Sequence, residues 1–139
     1  MVLNKTAVEL DRFFGRYAES FLKADAEFIA SVYEFPMTFY TEAGESVAFT
    51  EEAFNNNSKN LIALYKELGV AAVNFERLDQ YELSNCLSIV TLKWYFCDDA
   101  GAEIYNATTR YLMGLKEDGL KIKAVFVIDE TSKVSELKK

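Results

Sequence analysis

Arg77 and Asp79 stand two apart in a run whose alternation reads as a β-strand. Residues at that spacing on a strand share a face. A guanidinium and a carboxylate side by side on a buried face could orient a ligand carboxylate or activate a water. The same pair could equally be a structural ion bridge near the open end of a sheet. Asp98 and Asp99, in "CDDAGA", are a second pair of acids. Adjacent carboxylates offer oxygens to a hard cation, but nothing nearby completes such a set, and they read as turn residues with no metal. The chain has no histidine. That removes most ligands of the usual zinc sites and excludes Ser-His-Asp triads and Cys–His pairs. Cys86 and Cys97 fall on one predicted strand, on opposite faces and about 36 Å apart when extended. They cannot bridge within one chain. No cofactor is expected.

Composition bounds what can surround these groups. The chain has 139 residues, half of them apolar and 14% aromatic, which is enough for one domain over residues 1–139 with a real core. The net charge of −7 repels phosphate backbones and argues against nucleic acid as a partner. No apolar run approaches the ~18 residues of a membrane span, and "MVLNKTAVELDRFF" lacks the apolar core of a secretion signal. A cytoplasmic protein without a membrane partner is expected.

Helical spacing of Leu10, Phe13, Phe14, Tyr17 and Phe21 predicts a helix over about residues 5–23. Asp25 is the expected N-cap of a short second helix that buries Phe28, Ile29, Val32 and Tyr33. Pro36 ends that run, and "FPMTFYTE" follows as a strand. Thr50 caps a third helix, with Glu51 and Glu52 in its first turn and Gly69 at its stop. From there the period changes to two, predicting strands over about 70–81, 84–97, 103–115 and 120–129, joined by the short turns "ELSN", "DDAGA" and "KEDG". Short turns make antiparallel neighbours. Residues 130–139 read as a polar tail.

Three helices beside one antiparallel sheet must cover one of its faces, and pairing across the turns selects that face. A turn at "DDAG" sets Cys97 opposite Ala102, Trp94 opposite Tyr105 and Val90 opposite Thr109. A turn at "KEDG" sets Leu115 opposite Leu120, Tyr111 opposite Ala124 and Thr109 opposite Phe126. The inner face then carries Val90, Leu92, Trp94, Tyr105, Ala107, Thr109, Tyr111, Met113, Ile122, Ala124, Phe126 and Ile128. If Tyr81 faces Cys86 across "ELSN", Arg77 and Asp79 join it. The outer face carries Leu87, Ile89, Lys93, Arg110, Leu112, Lys123, Val125 and Val127.

The element order, together with "RYAESFLKADAEFIASVYEFPMTFYTEAG", resembles the nuclear transport factor 2-like superfamily, including ketosteroid isomerases and polyketide-cyclase-like proteins, over about residues 5–130. The resemblance implies an α+β fold of the cystatin-like type: a cone-shaped, curved antiparallel sheet with three helices from the N-terminal half on its concave face. It also implies a ligand site in the hollow. Ketosteroid isomerases place a tyrosine oxyanion donor on the first helix, a catalytic aspartate at the end of the first strand and a second acid on the penultimate strand. Tyr17, Thr41 and Thr109 stand at those places here, so one donor is kept and both acids are replaced.

Two readings therefore attach to Tyr17, a hydrogen-bonding group in a pocket or a core aromatic. Phe35, Phe39, Tyr65, Trp94, Tyr105, Tyr111 and Phe126, with Thr41 and Thr109, either line an apolar pocket with polar tips or fill the cone. Three functions follow. The leading one is a protein that binds a small apolar or aromatic molecule. The second is an isomerase, cyclase or dehydratase using Tyr17 with Asp79 or Arg77. The third is an interaction module with a filled core. The outer patch of Leu87, Ile89, Leu112, Val125 and Val127 predicts a homodimer.

Overall fold

The structure is a computed structural model and describes residues 7–117 and 119–129; the tail expected at 130–139 lies outside them. The elements run α1 (Ala7–Leu22), α2 (Ala26–Ser31), β1 (Tyr33–Tyr40), β2 (Ser46–Phe49), α3 (Glu51–Leu68), β3 (Ala72–Glu82), β4 (Leu87–Cys97), β5 (Glu103–Lys116) and β6 (Gly119–Asp129). The fold is α+β, with three helices and one curved, mostly antiparallel six-stranded sheet.

Local chemistry sets the helix ends. The Asp25 carboxylate accepts from the Phe28 N–H at 3.1 Å, and the Thr50 hydroxyl accepts from the Ala53 N–H at 3.2 Å, so each satisfies a first-turn amide. α3 stops at Gly69, whose φ of 79° is the left-handed conformation of a helix C-terminus. Leu10, Phe14 and Tyr17 form the buried stripe of α1.

The sheet order is β2-β1-β6-β5-β4-β3. Two of its features differ from the sequence expectation. "SVAF" forms β2, which pairs antiparallel with β1 (Phe39 opposite Val47), and β1 runs parallel to β6 (Phe39 opposite Val125). Tyr33, expected on the second helix, is the first residue of β1. Pro36 lies where the β1–β6 ladder is interrupted, between Tyr33 and Thr38, a place that asks for no ladder N–H from it.

The register of the central hairpin is two residues from the expected one. Trp94 faces Ala107, Phe96 faces Tyr105, Leu92 faces Thr109 and Val90 faces Tyr111. The cause lies at the turn. Asp98 accepts from the Ala100 and Ala102 amides and its own N–H bonds the Ala102 carbonyl, which closes residues 98–102 into a loop, and the ladder shifts between Phe96 and Cys97. A slip of two leaves every side chain on its predicted face.

Two bulges do change faces. In β6, Met113 faces Ile122 but Leu112 faces Ala124, so Lys123 is an extra residue. Beyond it Val125 and Val127 turn inward, opposite Tyr111 and Thr109, while Ala124 and Phe126 turn outward, opposite Leu112 and Arg110, and Ile128, skipped by a second ladder shift between Thr108 and Thr109, is exposed. This corrects the expected faces of all five. Lys123 lies across Gly114, where an added Cβ would stand 2.7 Å from its Cδ, and its ammonium reaches the Glu34 carboxylate. In β3, Arg77 faces Leu92 but Asp79 faces Thr91, so Leu78 is extra and the expected shared face of Arg77 and Asp79 is lost.

Helices cover the inner face through aromatic contacts. Phe14 of α1 lies 5.0 Å from Tyr111 and 6.3 Å from Trp94, and Tyr65 of α3 lies 5.0 Å from Phe96, between ring centroids. Ile29, Val90, Leu92, Met113 and Ile122 close the core beneath them. Cys86 is exposed and Cys97 buried, and both are free thiols.

Candidate functional site

The helices do not fill the concave side of the sheet. A cavity of about 330 Å³ remains between α1, α3, the β1–β2 hairpin and the sheet, a size within the range of small-molecule sites. The α1 stripe supplies Tyr17, Ala18 and Phe21, and β1 and β2 supply Tyr33, Met37, Phe39 and Phe49. One face of α3 supplies Phe54, Ser58, Leu61 and Tyr65, at helical spacing, with Asn57 and Leu64 beside them. The floor is Val73, Trp94, Phe96, Ala107, Thr109, Tyr111, Val125 and Val127.

Polar atoms are few and sit on an aromatic wall. The Tyr17 and Tyr33 hydroxyls are hydrogen-bonded to each other at 2.5 Å. The Trp94 indole N–H donates to the Tyr111 hydroxyl at 3.0 Å, which fixes both rings. Ser58 and Thr109 add buried hydroxyls, and Asn57 adds an exposed amide. Among the described residues, no Asp, Glu, Lys or Arg lines the cavity. The arrangement can surround a hydrophobic body and hydrogen-bond to it.

The structure brings six of the expected residues to this cavity: Tyr17, Phe39, Tyr65, Trp94, Thr109 and Tyr111. Phe35 sits behind the wall, packed on Phe54 at 5.2 Å and Tyr33 at 6.2 Å. Tyr105 stacks on the far side of Phe96, 4.4 Å between centroids and 11° from parallel. Thr41 lies in the β1–β2 turn, where its hydroxyl accepts from the Glu45 amide at 3.2 Å. Phe126 is carried to the outer face by the Lys123 bulge and stacks there on Tyr40 at 4.9 Å.

Arg77 and Asp79 are separated. Arg77 bonds Asp11 of α1 at 2.7 Å. On the outer face Arg110 stands between two partners: its Nε donates to the Thr91 hydroxyl at 2.8 Å, and its Nη2 lies 3.8 Å from Asp79 Oδ2. The other Asp79 oxygen, Oδ1, is buried without a hydrogen-bond partner among the described residues. Away from the cavity, the titration of Glu34 and Tyr95 is shifted. Hydrogen bonds from Lys116 and then Lys123 hold the Glu34 carboxyl below its usual range, and burial, then Glu76, pushes the Tyr95 phenol up. No cluster of three or more acid or thiol side chains suited to a metal occurs among the described residues, and none of their helices is long and apolar enough to cross a membrane.

The residues missed by sequence reasoning are instructive. Phe96 follows from Trp94 by strict alternation, and Ser58 from Phe54 by one helical turn, so both were within reach. Phe49 depended on recognising a four-residue strand. Val125 and Val127 depended on a bulge that no turn residue announces.

The comparisons with known proteins agree with this fold. The profile of a family described as "NTF2-like protein (DUF6841)" matches residues 8–130. No curated protein matches the sequence. Among solved structures, a domain of unknown function with a cystatin-like fold from Nostoc punctiforme is similar with a TM-score of 0.68 at 10% identity, over 96% of this chain and 86% of that one. An NTF-2 like protein of unknown function from Shewanella oneidensis gives 0.59 at 13% identity, over 83% and 92%. A ketosteroid isomerase-like protein from Erwinia carotovora atroseptica gives 0.56 at 12% identity, over 79% and 85%. Likeness at such identities speaks to the fold alone.

Proposed function

We propose, for a chain that belongs to the NTF2-like family (DUF6841), that the hollow between sheet and helices binds a small apolar or aromatic molecule. One observation carries this reading: the cavity of about 330 Å³ stays open although 10 of its 21 lining residues are aromatic. Native cores close to near-crystalline density, whereas this hollow, half open to solvent, is left unfilled by the rings that line it. The wall offers flat apolar faces with hydroxyls and an amide at fixed points, which suits an aromatic body bearing a few polar substituents.

The rival is an isomerase, cyclase or dehydratase that pairs Tyr17 with Asp79 or Arg77. Weighing against it, Arg77 is held by Asp11, and Asp79 lies on the opposite side of the sheet from Tyr17. The same cavity weighs against an interaction module with a solid core.

Trp94 tests the reading directly. It is the only tryptophan and it lines the cavity. Titration with a panel of flat hydrophobic compounds should quench or shift its emission saturably, and silence across the whole panel would sink the proposal.

The outer face supports a second part of the proposal, a homodimer, now with altered membership. Leu87, Ile89 and Leu112 remain on that face, Val125 and Val127 leave it, and Phe126 and Ile128 join it. Ile128 is 48% exposed and Tyr40 36%, an apolar area around the Asp79–Arg110 pair. An acid and a base on one patch can be exchanged between two copies related by a two-fold axis. The free thiols fit a reducing compartment, and we place the protein in the cytoplasm.

A further inference from the structure

We infer that the cavity discriminates by charge: it takes molecules in their uncharged form and rejects the ionised forms of the same compounds. The inference rests on the reading of the cavity as a ligand site and adds what that ligand must be.

The wall carries the argument. Its polar groups are tyrosine, serine and threonine hydroxyls, the Trp94 indole and the Asn57 amide. Tyrosine ionises far above neutral pH, so the whole lining is uncharged under ordinary conditions. A charged ligand entering this space gives up its water wherever the wall encloses it and meets no counter-charge among the lining residues. Removal of an ion from water is repaid only by a partner charge with well-made hydrogen bonds. A neutral alcohol, phenol or ketone loses far less, and the hydroxyls replace most of what it loses.

Anions and cations are disfavoured for different reasons. An anion finds the Thr109 hydroxyl and the Tyr17–Tyr33 pair, in which one hydroxyl proton is already shared between the two oxygens, but no Lys or Arg, and it approaches a chain with a net charge of −7. Arg77, the basic residue near that face, is bound to Asp11. A cation is drawn by the same net charge and by the ring faces of Phe21, Tyr65, Trp94 and Phe96. No carboxylate lines the cavity to complete its neutralisation, and attraction to ring faces restores only part of the lost hydration.

The test uses the wild-type protein and three molecules of nearly one shape: naphthylmethanol, naphthoate and naphthylmethylammonium. Calorimetric titration at neutral pH should give the alcohol an affinity at least about tenfold above that of either ion, the factor set by 1.4 kcal/mol. A nitrophenol that ionises near neutrality provides an independent reading, because only its anion is coloured. Adding protein at constant pH should bleach it as the bound molecule takes up a proton. Equal or tighter binding of naphthoate or of the ammonium, or a gain of nitrophenolate colour, overturns charge discrimination while leaving the ligand site standing. Failure of every molecule to bind, the alcohol included, removes the ligand site and this inference with it.

Discussion

The hydroxyls of Tyr17 and Tyr33 meet at 2.5 Å, joining the middle of α1 to the first residue of β1 at the cavity wall. Both residues are buried, so removing either hydroxyl costs the other this bond, at about 1–3 kcal/mol. Tyr17→Phe and Tyr33→Phe should each lower stability by that order. The double variant should lose less than the sum, with a coupling of about 0.5–3 kcal/mol. Urea unfolding of the four proteins measures it, and strict additivity would show that the contact contributes nothing.

Glu34 bonds Lys116 and Lys123 at once, and these bonds hold its carboxyl below the ordinary value of 4.5. A carboxylate whose folded-state value is lowered adds stability that is complete above its unfolded value and is lost as pH falls through the folded one. Glu34→Gln should therefore be less stable than wild type at neutral pH, by about 1 kcal/mol or less for a partly exposed cluster. The gap should narrow on acidification below the ordinary carboxylate value. A gap that stays constant down to strongly acidic pH would remove the cluster's role.

Ketosteroid isomerisation needs a base beside the reacting carbon and strong donors at the developing oxyanion. Thr41 is engaged in the β1–β2 turn, Glu42 next to it is exposed in the same turn, and Thr109 has no acidic proton to donate. A 5-ene-3-ketosteroid should turn over no faster with protein than in buffer, and Glu42→Gln should change nothing. Turnover abolished by Glu42→Gln would place the base in that turn.

For the outer face, the wild type should sediment as a dimer at micromolar concentration. Ile89→Lys combined with Phe126→Glu should give a folded monomer, since both side chains lie on that face. Val125→Glu should behave differently. It sets a carboxylate into the cavity wall and should destabilise the fold itself by several kcal/mol. A wild-type protein that sediments as a monomer would refute the interface.

What the sequence made legible follows from how each feature is encoded. Helix ends lie in single residues that act locally, and Asp25, Thr50 and Gly69 all act where they were expected. The inner faces of β4 and β5 survive a register slip because alternation tolerates any even shift. The β6 and β3 faces do not survive, because each bulge is an odd shift at a residue with no turn character, Lys123 in one strand and Leu78 in the other. Reading Lys123 required knowing that Glu34, far away in sequence, awaited its ammonium and that Gly114 left room for its stem. The parallel β1–β6 contact was hidden for the same reason, since sequence patterns speak for neighbours along the chain and this pairing joins its two ends.

The bulge at Lys123 makes the size of the hollow a matter of strand register rather than of side-chain choice. With it, the β6 residues facing the helices are Val125 and Val127. Were the same residues paired without the bulge, alternation would run on unbroken from Ile122 and present Ala124, Phe126 and Ile128 instead. A ring and a longer aliphatic would then occupy space that two valines leave open, and the outer patch would lose Phe126 and Ile128 at the same stroke. Loss of that one irregularity in pairing would thus exchange an open interior and an apolar exterior for a solid interior and a smoother exterior with no residue altered, whereas deletion of Lys123 itself would leave Val125 and Val127 facing in, since Ile122 and Val125 would then stand two apart.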